Sequence, residues 1–288
     1  GLLNRMSEQN ISSVSSEMAE LVGRSRSLCA SLSQAILGAC LSETQLLAPL
    51  VLLNAALVRA LSFRSGIDVV TTLVEATALA FESAHASGVA AGSTSEHVCC
   101  NAALLLAHLY NLGAVNASLI YELVRRLVGG FGEAELQVLI VILRAVGSQM
   151  RSDDPAALKE IIIDVQSRAA AVQRAPDAAA NGGAGEAAGN GADGLTARAR
   201  IFLSMLIELK NNRHKARDDA GGLERLKKWL RQLATSKGAL EPAQFKVGWD
   251  DLVHADSRGR WWVVGSAWAG RAAGADAAGA AGASGGGS

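Results

Sequence analysis

The chain has 288 residues, 27 Lys+Arg against 27 Asp+Glu and therefore no formal net charge, and half of it is hydrophobic. This is ample for a sizeable core and excludes a collagen, a disulfide-stapled mini-protein and a wholly disordered chain. The zero total also excludes a nucleic-acid binder that works by overall charge.

The charge is unevenly placed. Residues 195–288 carry 15 basic and 9 acidic side chains, so this third is +6 and the rest is −6. The excess is densest from Arg198 to Lys237, with 11 basic and 4 acidic residues. Such a segment is either a solvated helix face or a surface for an acidic partner, RNA included. The N-terminus has Asn4, Arg5 and Glu8 where a secretory signal would be apolar. Cys29, Cys40, Cys99 and Cys100 form no CxxC and read as reduced, buried thiols of an intracellular protein. Residue 1 is Gly, which reads as a piece of a longer chain.

The pattern predicts helices almost throughout. Ser7 is a candidate N-cap for a helix carrying Ile11, Val14, Met18, Leu21 and Val22, which Gly23 ends. A second helix covers about 27–39, with Leu28, Leu32, Ile36 and Leu37 on one face. A third covers about 46–61, with Pro49 in its first turn, where a missing N–H costs nothing. A fourth runs over 67–85 and a small-residue loop over 88–95. Helices five and six, near 96–112 and 116–128, flank Gly113. The stretch from His97 to Tyr121 holds no Asp, Glu, Lys or Arg and is long enough to span a bilayer. Internal His and Asn residues and the Gly113 break favour two buried helices instead. A seventh helix, 133–148, is apolar nearly all round through LQVLIVIL and reads as buried. An eighth, 153–172, has Asp153 as cap and Pro155 in the first turn.

Residues 173–195 form an Ala/Gly/Asn-rich insert that has nothing to bury. Helices nine and ten follow, near 196–212 and 223–236. A Trp-rich segment covers 245–270, and the Ala/Gly tail 271–288 has the composition of disorder. Pair starts near 8, 46, 96, 133 and 196 are the spacing of HEAT-type repeats. The predicted fold is all-α: a HEAT-like α-solenoid of about five antiparallel pairs over 1–244, then an irregular Trp-rich segment.

The search for catalytic motifs is negative: the sequence has no GxSxG, HExxH, Walker element or Gly-rich dinucleotide loop. His97, Cys99, Cys100 and His108 raise a metal site. On one helix the adjacent cysteines point about 100° apart and cannot converge with both histidines. No metal, cofactor or small-molecule substrate is predicted. Four of the five Trp, namely Trp249, Trp261, Trp262 and Trp268, fall in one short stretch. They either staple the end of the solenoid or expose a docking surface that includes Arg260. Within it, Lys246, Val247 and Trp249 match a loose basic-Val-x-aromatic pattern similar to phosphatase-docking peptides, which add a strand with two anchoring side chains.

LLNRMSEQNI, AHLYNLGAVNASLIYELVRRLVG, LRAVGSQMRSDDPAALKEIIIDVQ and RARIFLSMLIELKNNR occur in the order of the motifs of MIF4G domains, the middle domain of the initiation-factor 4G type. AHLYNL, ELKNNR and GRWWVVGSAW most resemble the nucleolar MIF4G-domain protein family. The resemblance implies a HEAT solenoid without catalytic activity. It further implies binding to a DEAD-box RNA helicase of the 4A type, in 18S pre-rRNA processing and small-ribosomal-subunit assembly in the nucleolus. Carried over by motif, the helicase contacts are Leu3, Asn4, Met6 and Ile11 at one end and Leu209, Lys210, Asn211, Asn212 and Arg213 at the other. Each set has a plain structural alternative: core packing for the first, a helix C-terminus for the second. Direct RNA binding would use Arg213, Lys215, Arg217, Lys227, Lys228 and Arg231. The competing functions are an RNA-binding MIF4G scaffold in splicing or translation initiation, and a phosphatase-targeting adaptor. Members of the nucleolar family usually continue into a second, MA3-type helical domain, which this sequence does not contain.

Overall fold

The structure, a computed structural model, describes residues 3–22, 26–91, 94–174, 195–213, 220–236 and 244–263. Most of the predicted insert, the Ala/Gly tail, Lys215, Arg217 and Trp268 lie outside these residues. A 3₁₀ turn at Leu3–Arg5 opens the fold. Ten principal helices follow: α1 (Ile11–Val22), α2 (Arg26–Cys40), α3 (Ala48–Ser65), α4 (Asp68–Ala91), α5 (Thr94–Asn111), α6 (Ala117–Gly130), α7 (Glu133–Asp153), α8 (Pro155–Arg174), α9 (Ala197–Lys210) and α10 (Ala220–Ser236). Two short ones, α11 (Trp249–Val253) and α12 (Ala255–Arg258), lead to a last 3₁₀ turn at Trp261–Val263.

The boundaries have local causes. The Asn116 side chain accepts from the Ser118 amide and starts α6; the Thr196 hydroxyl accepts from Ala199 and starts α9. Gly113 ends the α5 turn at φ 70°, a left-handed conformation that glycine takes without strain. Two caps differ from the sequence reading. Ser7 begins a turn in which its amide donates to Asn10, and α1 starts only at Ile11. The cap of α8 is Asp154, whose carboxylate accepts from Ala157, while Asp153 closes α7 and accepts the Tyr110 hydroxyl at 2.5 Å. Either aspartate satisfies the sequence rule, and only the Tyr110 partner distinguishes them.

The odd-numbered helices α1, α3, α5, α7 and α9 stack in order as one row. In the even row α2 packs on α4 and α6 on α8, and the first four helix pairs also pack internally. This is the solenoid logic: each pair buries its apolar side against the next. At the centre, Val51 to Leu61 of α3 form an unbroken buried run that is apolar except for Asn54 and Arg59. Among the described residues α3 is long and apolar enough to cross a membrane, but it is enclosed by neighbouring helices. The His97–Tyr121 stretch folds as α5, the Gly113 turn and the start of α6.

The fifth pair is a correction. α10 does not pair with α9; it lies along α3, at the other end of the row. Its stripe of Leu226, Leu230 and Leu233 is buried there, with Leu223 and Trp229 half-buried. α3 is buried on every side along this run, and α10 supplies cover that its neighbours in the row leave open. The chain then crosses to the even row. Phe245 exchanges backbone hydrogen bonds with Ala114 and Asn116 at 2.9 and 3.0 Å, and α11 packs against α4 and α6. The described part of the Trp-rich segment thus wraps around the solenoid. Leu21 and Leu28, placed on buried faces by periodicity, are instead 48% and 39% exposed. Cys29 and Ser33 take the inward positions of α2 instead.

Candidate partner-binding surfaces

Leu3 and Met6 are half-buried against the core, with Asn4 and Arg5 exposed beside them. Ile11, assigned to the same surface by motif, is 2% exposed and serves the core of the first pair. The N-terminal turn is held by Asn10, whose Nδ2 donates to the Arg5 carbonyl at 2.7 Å.

The second motif, Leu209 to Arg213, has a complete local explanation. Asn212 sits at φ 57°, in the left-handed region. Its amide donates to the Leu209 carbonyl, and that of Arg213 to the Glu208 carbonyl. These two bonds are a Schellman C-cap, with Asn in the position usually held by Gly. Leu209 is 2% exposed and packs on Gly147, where an added Cβ would meet Leu209 Cδ2 at 3.3 Å. Arg151 donates to the Leu209 carbonyl at 3.1 Å. Lys210, Asn211 and Arg213 remain exposed. Buried Leu209 is therefore an anchor of the motif and not one of its contact groups.

On α10, Lys228 and Arg231 project into solvent, while Lys227 is mostly covered and pairs with Glu224 at 3.4 Å. Arg225 pairs across the molecule: its Nε and Nη2 donate to the two Glu8 oxygens at 2.9 and 3.2 Å. The N-terminal turn and the basic helix, far apart in sequence, are thus neighbours.

The C-terminal segment is a staple rather than a free docking peptide. Val247 and Trp249 are 4% and 3% exposed. Trp249 stands edge-on to Phe81 at 5.5 Å, its indole N–H donates to Glu82 at 2.7 Å, and its amide donates to Glu122 at 2.6 Å. Arg260 is held by Glu75 at 2.7 Å and Asp256 at 2.8 Å. The two side chains that would anchor a phosphatase-docking strand are therefore occupied within this chain, which corrects that reading. Lys246 is exposed; Trp262 is half-buried against Phe245, and Trp261 is 54% exposed. The glutamates of α4 and α6 that pin the segment were not identified from sequence. A lone Glu on a helix carries no local sign of a partner far along the chain.

Cys29, Cys40, Cys99 and Cys100 are buried. Burial pushes the thiols of Cys40, Cys99 and Cys100 up to about 12, so they are protonated and poor nucleophiles. Cys99 donates to the Phe81 carbonyl at 3.9 Å. Burial lowers His108 to about 4, so it is neutral. Among the described residues no three His, Cys, Asp or Glu side chains gather as a metal site would require.

Residues 1–213 match the MIF4G domain family. The chain is 32% identical over 274 residues to Nucleolar MIF4G domain-containing protein 1 of Homo sapiens, an alignment covering 94% of this chain and 29% of that protein. It is 29% identical over 276 residues to Suppressor of glycerol defect protein 1 of Saccharomyces cerevisiae, covering 93% and 28%. The chain therefore spans about three tenths of the length of these relatives. The family match and the two stacked rows of helices agree along the solenoid from its first turn to the Asn212 cap: the chain belongs to the MIF4G domain family.

Proposed function

We propose that this chain is a non-enzymatic scaffold of the nucleolus that binds and stimulates a DEAD-box RNA helicase of the 4A type during 18S pre-rRNA processing and small-subunit assembly. The observation that carries the reading is the MIF4G match over residues 1–213, whose two motif surfaces lie at opposite ends of one helix row. Exposed Asn4, with half-buried Leu3 and Met6, offers a first contact. Lys210, Asn211 and Arg213 offer a second at the far end. A rigid row of helices that grips each lobe of a two-lobed enzyme restricts their relative orientation. It raises turnover by favouring the closed arrangement, with no reacting group of its own. The name of the human relative supports the nucleolus and a MIF4G scaffold; the helicase and the processing step are this proposal's own.

The test is the RNA-stimulated ATPase rate of a 4A-type helicase with and without the chain, alongside a Leu3→Asp/Met6→Asp variant. Stimulation by the wild type, lost in the variant with helical content retained, is the expected result. A well-folded wild type that neither binds nor stimulates overturns the proposal.

A second reading, direct RNA binding, is favoured by exposed Lys228 and Arg231 on α10, with Arg213 exposed beyond α9. It applies equally to a scaffold acting in splicing or initiation. It predicts affinity for single-stranded RNA that falls as salt rises, and falls further in a Lys228→Glu/Arg231→Glu variant. The phosphatase-adaptor reading draws no support from the buried Val247 and Trp249.

A further inference from the structure

The N-terminal turn and α10 meet without filling the space between them. A cleft of about 280 Å³ remains. Leu52 and Leu53 of α3 and Leu226 of α10 form its apolar side, and all three are buried. The backbone of Gly222 forms a wall, where an added Cβ would lie 3.3 Å from Glu8 Oε1 and 3.9 Å from Leu52 Cδ2. The Glu8–Arg225 pair stands at the rim, its side chains 44% and 67% exposed. The volume falls below the ~300–1,000 Å³ typical of small-molecule pockets, and suits one or two inserted side chains.

The charge left unpaired on the N-terminal turn and α10 is one-sided. Glu8 is taken by Arg225, and Glu224 by Lys227. Arg5, Lys228 and Arg231 are exposed, and among the described residues none of the three has an ion pair. Lys228 and Arg231 follow Arg225 at intervals of three on α10, so all three lie on one side of the helix. An RNA strand could use these cations but would gain nothing from an apolar cleft rimmed by a carboxylate. An acidic protein segment with an apolar anchor uses both features.

We infer that the N-terminal turn and α10 form one docking surface, which takes an apolar side chain of a protein partner in the Leu52–Leu226 cleft and that partner's flanking carboxylates on Lys228 and Arg231. This rests on the proposed function, because the partner is the helicase lobe that contacts Leu3 and Met6. A desolvated anchor in such a cleft supplies affinity, and the cation stripe supplies rate and orientation.

The discriminating variant is Gly222→Leu. It fills the cleft from a helical position where leucine is a better helix former than glycine, so α10 should hold. Affinity for the 4A-type helicase is measured by calorimetry, with thermal unfolding of each variant. The expected result is binding about tenfold weaker or worse for Gly222→Leu, with the melting temperature unchanged or raised. Lys228→Glu/Arg231→Glu should weaken helicase binding several-fold at low salt and less at high salt. Wild-type affinity in Gly222→Leu overturns the inference and leaves the proposed function standing. So does a charge-reversal variant that loses only an oligouridylate probe, which would give the cations to RNA. Absence of helicase binding by the wild type overturns both.

Discussion

Trp249 is 3% exposed, and both its ring and its polar group are engaged: a T-shaped contact with Phe81 and an indole N–H donated to Glu82. Trp249→Ala should cost about 3–5 kcal/mol, read as a lower denaturation midpoint, and hydrogen exchange over 244–263 should accelerate. His108 supplies a pH signature. Burial holds its folded pKa at about 4, below the ordinary histidine value. A depressed histidine pKa means the unfolded chain takes up the proton first. The neutral side chain is therefore no burden above the unfolded pKa of ~6.5, and stability is lost as pH falls from there toward 4. His108→Leu should flatten the melting temperature between pH 6.5 and 4, where the wild type declines. Neither residue's role is written in its neighbours. Trp249 stood out by the local density of Trp, and His108 by nothing except its place among apolar residues.

At the level of elements, helix ends separate structural from functional readings of one motif. Asn212 occupies a left-handed C′ position after α9. Asn212→Gly should leave stability nearly unchanged, whereas Asn212→Ala should cost about 1 kcal/mol, because a Cβ without a local hydrogen-bonding group is strained there. If the motif is mainly a cap, helicase affinity will follow stability across the two variants; an affinity loss in Asn212→Gly alone would assign the amide to the partner. Helix positions were legible because apolar spacing, Pro49, Pro155 and Gly113 are local signals. Ser7 and Asp153 were misread as caps because several residues meet the capping rule, and hydrogen bonds to Asn10 and Tyr110 decide between them.

Over the whole molecule, α10 and the segment after it convert a row of repeats into a wrapped body. Leu226→Ala should destabilise by about 2–5 kcal/mol, since it removes a side chain from the α3–α10 contact. Every tryptophan of the chain lies on α10 or after it, from Trp229 to Trp268. Tryptophan fluorescence therefore follows the wrap, while far-UV circular dichroism follows the solenoid. An open solenoid unfolds piecewise, so the two probes would separate. With α10 on α3 and Trp249 on α4 and α6, the two curves should coincide. A fluorescence transition well below the circular-dichroism transition would show that the wrap is only loosely attached.

The sequence by itself determined the helices, their alternation as stacked pairs, the burial of α5, α6 and α7, and the MIF4G resemblance. These follow from periodicity and end signals, which act over one to a few turns. Tertiary structure alone decided that α10 returns to α3, that Glu8 meets Arg225, and that Val247 and Trp249 are spent inside the chain. An amphipathic helix declares that it has an apolar side. What covers that side is settled by which distant surface remains open, and here that surface is the last uncovered side of α3.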